Sequence, residues 1–119
     1  MNATKFLMQR DVSGTNGFGI AFSLNGESTS LAANVEQHIT VPDNYPNWMA
    51  VFSYTPGSNI WVDGINTAVV PGTSFAASTA RLNPAGRYVK AGDVISFITS
   101  DITVPWVDVE FQVVSPYGN

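Results

Sequence analysis

The chain holds a single histidine, His38, flanked at two residues' distance by Glu36 and Thr40. An imidazole beside a carboxylate is the smallest unit of general acid–base chemistry. The local pattern argues against that use. Val35, Gln37, Ile39 and Val41 alternate with Glu36, His38 and Thr40, so on a strand the histidine falls on the polar, outward face. A nucleophilic serine needs a shaped turn and a positioned base and acid, and no G-x-S-x-G occurs. Zinc needs three or four ligands, and one histidine with no cysteine leaves only carboxylates. Asp108 and Glu110 lie about 7 Å apart on one strand face by strand rise. Glycosidase carboxylates instead face each other across a cleft from separate elements, so a solvated face that discourages edge aggregation is the favoured reading. Asp93, within Ala91-Gly92-Asp93-Val94, suits a turn cap. Asp43-Asn44 lacks the spaced oxygen ligands of a calcium loop. These residues predict no catalytic group, no metal site, no cofactor and no enzyme activity.

Binding chemistry is better represented. Trp48, Trp61 and Trp106 have flat faces that can stack on sugar rings, although the apolar area of an indole favours burial in a core or an interface. A sugar-binding reading requires at least two of the three exposed and coplanar. Trp106 follows Pro105 and shares the acidic face of the last strand, which makes it the best surface anchor. Arg81, Arg87 and Lys90 stand within ten residues of each other beside a turn. On an acidic chain such a patch can dock an acidic neighbour. The candidate protein-contact residues are therefore Trp61, Trp106, Arg81, Arg87 and Lys90.

The elements that must position them read as strands and turns. Trp48 to Asp63, WMAVFSYTPGSNIWVD, is expected to be a central hairpin, with Pro56 and Gly57 at the inner positions of a type II turn. Trp48, Ala50, Phe52 and Tyr54 form its apolar face; beyond the turn Ile60 and Val62 share a face and leave Trp61 with Asp63 on the other. Phe18, Ile20, Phe22 and Leu24 alternate with small residues, as in a strand with one buried face. Asn25-Gly26 is a turn signal. Two prolines within Pro42 to Asn47 forbid a regular ladder. Val94 to Thr99 is β-branched and aromatic, and Val107, Val109, Phe111 and Val113 alternate with Asp108, Glu110 and Gln112. Thr4 to Arg10 is a further strand candidate. About eight strands separated by turns predict an all-β, jelly-roll-like antiparallel β-sandwich, with residues 1–119 forming one domain.

At 119 residues one domain can bury roughly two-thirds of its unfolded surface. Only 12% of residues are charged, well under the typical share of about 25%, which suits a surface partly covered by a partner. A net charge of −4 with five Lys and Arg argues against a nucleic-acid backbone as partner, because such binding replaces counterions with clustered cations. The absence of cysteine removes disulfides and thiolate chemistry and fits folding in a reducing cytoplasm. MNATKFLMQR lacks the features of a signal peptide, and no apolar run reaches membrane-spanning length; no membrane association is expected.

Three blocks carry a family resemblance: Asn16-Gly-Phe-Gly-Ile-Ala-Phe-Ser23, Trp48-Met-Ala-Val-Phe-Ser-Tyr-Thr-Pro-Gly57, and Arg81-Leu-Asn-Pro-Ala-Gly-Arg-Tyr-Val-Lys-Ala-Gly-Asp-Val-Ile-Ser-Phe97. Together they resemble small accessory capsid proteins, of the decoration or cement type, from tailed bacteriophages. The resemblance implies a jelly-roll-like sandwich that binds the outside of a capsid shell and reinforces contacts between major capsid subunits. It implies a small homo-oligomer, a dimer or trimer, located on the virion and assembled in the host cytoplasm. Residues 1–10 and 115–119 are the candidate arms for reaching neighbours. The competing expectation is a carbohydrate- or receptor-binding module of a phage tail fibre or spike.

Overall fold

Where apolar and polar residues alternate, an extended chain buries one face and wets the other, and the strands of a computed structural model of the chain follow that rule. The structure describes residues 22–72 and 78–114. It is all-β: β1 (Gly26–Ser30), β2 (Gln37–Thr40), β3 (Asn47–Tyr54), β4 (Ile60–Asp63), β5 (Arg81–Leu82), β6 (Gly86–Lys90), β7 (Val94–Thr99) and β8 (Trp106–Val113). No helix long and apolar enough to cross a membrane occurs among the described residues.

The strands make two four-stranded antiparallel sheets, ordered β1-β8-β3-β6 and β2-β7-β4-β5. Their inner faces meet as a sandwich. Val107, Val109 and Phe111 of β8, Trp48, Ala50 and Phe52 of β3, Ile60 and Val62 of β4, and Ile95 and Phe97 of β7 are all buried. Phe52 meets Phe97 edge-on across the two sheets at a centroid distance of 6.1 Å, and Trp48 meets Phe111 edge-on at 6.3 Å. The indole nitrogen of Trp48 is satisfied inside the core by donating to the Tyr45 carbonyl at 3.0 Å.

The bounds of β7 and the inward faces of β3, β4 and β8 match the sequence pattern, with Val113 alone exposed at the end of its run. The Thr55–Ser58 turn also matches: the Ser58 N–H donates to the Thr55 carbonyl at 3.1 Å, and Gly57 takes φ 78°. The expected hairpin does not form. β3 is held on both sides, by β8 and β6, and β4 by β7 and β5. The turn therefore arches from one sheet to the other. Asn25-Gly26 is not a turn either, since Gly26 opens β1 opposite Glu110. Phe22 and Leu24 lie outside any strand and are exposed. The candidate strand Thr4–Arg10, the residues Phe18 and Ile20, and the arms 1–10 and 115–119 lie outside the described residues.

Trp48 and Trp106 should respond oppositely to truncation. Trp48→Ala removes a fully buried indole and should cost about 3–5 kcal/mol in urea unfolding. Trp106→Ala, at a half-exposed position, should cost about 1 kcal/mol or less.

Candidate binding surfaces

Trp106 begins β8, whose alternation sends Val107 inward and Trp106 outward; its side chain is 43% exposed. The arch between β3 and β4 fixes it. The Trp106 N–H donates to Thr55 Oγ1 at 2.8 Å, and its carbonyl accepts from the Thr55 N–H at 3.1 Å. That arch is tied down in turn. Asn83 accepts the Ile60 N–H at 2.8 Å and donates its amide to the Ser58 carbonyl, and Thr99 Oγ1 donates to the Asn59 carbonyl. On the other side of Trp106, Val104 holds φ 52°, a left-handed conformation that a β-branched residue adopts only under strain. Trp106 lines a groove of about 420 Å³ with Asp108, Ser28, Thr29, Ser30 and Ser53.

The other two tryptophans go elsewhere. Trp48 is core. Trp61 is half-buried on the outer face of the second sheet, in register with Ile98 and Leu82. Trp61 and Trp106 therefore face opposite ways, and the coplanar pair of exposed indoles required above is absent. Alternation alone decides this, because neighbouring sheets of a sandwich present their outward residues in opposite directions.

Arg81 lies on β5, and Arg87 and Lys90 lie on β6, so all three sit along one open edge of the sandwich. Arg81 and Arg87 share the rim of a cleft of about 370 Å³ between the sheets, floored by Phe52 and Ile95 with Tyr88 beside them. Lys90 lines the adjoining depression over Trp48. All three cations are exposed. Tyr54, next to the cleft, donates to the Pro84 carbonyl at 2.5 Å, and burial raises its phenol far above the ordinary value against a smaller opposing pull from Arg87.

Two polar clusters are structural. Asp63 is 3% exposed. Its Oδ1 accepts the N–H groups of Ile65 and Asn66 at 2.8 and 2.9 Å, and its Oδ2 accepts the Thr79 hydroxyl. It closes the turn after β4 rather than sharing an exposed face with Trp61. Glu36 and His38 do pair, with Oε1 and Nδ1 3.7 Å apart on the surface. Ser96 donates to the other Glu36 oxygen at 2.5 Å while accepting from the Ala68 N–H. The carboxylate thus stands between hydroxyl and imidazole, whereas a nucleophilic serine needs the imidazole in the middle. No group of three His, Asp or Glu residues suited to a metal converges among the described residues. Asp93 caps the β6–β7 turn as its sequence context suggests, accepting the Lys90 N–H at 2.9 Å.

Comparison with known proteins adds no relative: no family model, no curated protein and no solved structure matches the chain.

Asp63 should make folding sensitive to acid. Burial alone would raise its pKa, but the hydrogen bonds from Asn66, Thr79 and Ile65 and the charge of Arg81 outweigh it and hold it below the ordinary 3.8. A carboxyl whose folded pKa lies below its unfolded one stabilises fully above the unfolded value and loses that contribution as pH falls through the folded value. Asp63→Asn should therefore be less stable than wild type by about 1–3 kcal/mol at pH 7. Urea titrations at descending pH should show the gap closing below about pH 4.

Proposed function

We propose that this protein is a jelly-roll structural component of a virion, which binds the outer surface of a capsid shell and reinforces contacts between major capsid subunits. The strand pairing supports the jelly-roll reading. β1 pairs with β8, β2 with β7, β3 with β6 and β4 with β5, the order made by winding one long antiparallel hairpin around itself. Jelly rolls serve viral shells and lectins alike, so the surfaces rather than the fold choose between roles.

The observation that carries the reading is the β5–β6 edge. The three cations of the described residues, Arg81, Arg87 and Lys90, gather there on a chain of net charge −4. The ion pair among the described residues is Glu36–His38. No carboxylate among them closes on the three cations as an ion pair, although Arg81 adds a longer-range pull on Asp63 and the guanidinium groups of Arg81 and Arg87 donate to nearby backbone carbonyls. Tyr88, 75% exposed, adjoins Arg87 on β6, and the half-exposed Leu82 adjoins Arg81 on β5, so the edge combines aromatic and cationic groups as protein interfaces do. Lys and Arg on an edge strand discourage pairing with an identical edge. The complementary surface is therefore acidic and belongs to a different protein, the major capsid subunit. Binding only to the assembled shell stabilises that shell by mass action. A dimer or trimer of the chain, formed away from this edge, would span several subunits at once.

Rebinding to particles stripped of the protein tests this. Wild-type protein should return at hundreds of copies per particle by quantitative mass spectrometry, and occupancy should fall as salt rises from low to physiological strength. The combined variant Arg81→Glu, Arg87→Glu, Lys90→Glu should bind about tenfold or more weakly, since like charges then face each other across the contact. Equal occupancy of wild type and variant would overturn the assignment of this edge.

A further inference from the structure

We infer that β1 is a dimerisation strand: two copies of the chain pair β1 to β1, antiparallel about a two-fold axis at Ser28, and so join their first sheets edge to edge. β1 ends its sheet, and the ladder shows which of its backbone groups are free. The Phe111 N–H donates to the Asn25 carbonyl and the Leu31 N–H to the Pro105 carbonyl, both at 2.8 Å. The odd positions from Asn25 to Leu31 therefore face β8, and in an antiparallel pair the positions between them face away. Gly26, Ser28 and Ser30 thus turn their N–H and C=O groups to the open side. Among the described residues only the Thr29 hydroxyl approaches them, donating to the Ser30 carbonyl at 3.3 Å.

The other three edges are guarded against pairing. β6 carries Arg87 and Lys90, β5 has two residues and Arg81, and β2 has four residues and runs into Pro42. β1 has no Lys, Arg or Pro and keeps an unbroken register with β8, and an edge without those guards is a template for another strand. Its own register selects a second copy. Centred on Ser28, that register sets Ser28 opposite the partner's Ser28, Gly26 opposite the partner's Ser30 and Glu27 opposite the partner's Thr29. Every free N–H on either strand then meets a carbonyl, and no charge faces its like directly. The two Glu27 side chains stand on a diagonal, about 7–8 Å apart. On the outer face Trp106 lies beside Ser30, and Ser30 meets the partner's Gly26, which has no side chain to obstruct the indole. The pairing supplies the dimer that the proposed capsid role uses and rests on that reading for its purpose alone; its test is made in solution, without a capsid.

Sedimentation velocity on the full chain tests the inference. One strand pair is a small interface, so the dimer should form at about 0.1–1 mM chain. It should tighten as salt rises, because each copy carries −4 and salt screens their repulsion. Attachment through the cationic edge has the opposite salt dependence, so the two readings fail separately. Ser28→Pro removes the central edge N–H while sparing the β8 ladder and should weaken the dimer about tenfold or more. Ser28→Lys and Ser28→Glu should each be monomeric, and their equimolar mixture should dimerise, since the two charges meet only across this axis. Thermal melting of each variant guards against misfolding. The chain has no cysteine, so Ser28→Cys should cross-link copies under mild oxidation, whereas Ser53→Cys, two strands inward, should not. A wild-type monomer at about 1 mM would give the edge to a strand of another protein or of the same chain and overturn the inference. A dimer indifferent to Ser28→Pro, or charge variants that stay monomeric when mixed, would overturn it equally.

Discussion

The alternation along β8 is the constraint on which the rest of the structure depends. Between β1 and β3 this strand turns Val107, Val109 and Phe111 into the core and Trp106, Asp108 and Glu110 outward. Burying the three apolar side chains contributes about 1.5–3 kcal/mol each, and Phe111 closes on Trp48 at the centre. A slip of one residue against either neighbour would exchange the two faces completely. It would place an aspartate and a glutamate in the core and bare the apolar set. The energy that holds the core together therefore also fixes where Trp106 and Asp108 point, and the outer groove inherits the rigidity of the inner packing.

The turn after β3 illustrates what local sequence can and cannot reveal. Thr55-Pro56-Gly57-Ser58 is legible as a turn, because proline and glycine restrict and permit the dihedrals it needs, and the fold uses it as one. Whether its flanking strands then pair is decided elsewhere, by which strands occupy the edges of β3 and β4. Those partners, β6, β8, β5 and β7, lie well downstream, and no local signal records them. Gly26 misled for a related reason. Its lack of a side chain, read as a turn signal, serves a close approach: a Cβ there would come within 3.2 Å of the Val109 carbonyl oxygen, tighter than the β1–β8 ladder comfortably allows.

The same division runs through the candidate sites. Trp106 and the exposed cations could be read from the chain because each stands against a regular pattern, one on the polar face of β8 and the others beside turn formers. Ser28 and Ser30 could not, since GESTS has no apolar alternation and becomes a strand only by pairing with β8. Alternation places Asp63 on the face opposite Ile60 and Val62, yet it is buried. Its carboxylate accepts from Ile65, Asn66 and Thr79, the last 16 residues away in sequence. Period-2 reasoning succeeds where the sheet alone determines environment and fails where a loop folds back over it.

Charge is segregated by the same topology. In the order β1-β8-β3-β6, the carboxylates of Asp108 and Glu110 lie two strands from the β6 cations, about 10 Å by strand spacing. The screening length at physiological salt is about 8 Å, so each surface sees little of the other's field through solvent. The two also differ in shape and lining. The cationic edge is an open strand flanked by tyrosine and leucine. The carboxylate of Asp108 lies in a shallow, hydroxyl-lined groove beside one indole. A sandwich has two faces and open edges by construction, and this one sets its carboxylates on a face and its cations at an edge, so each charge set keeps its own surroundings.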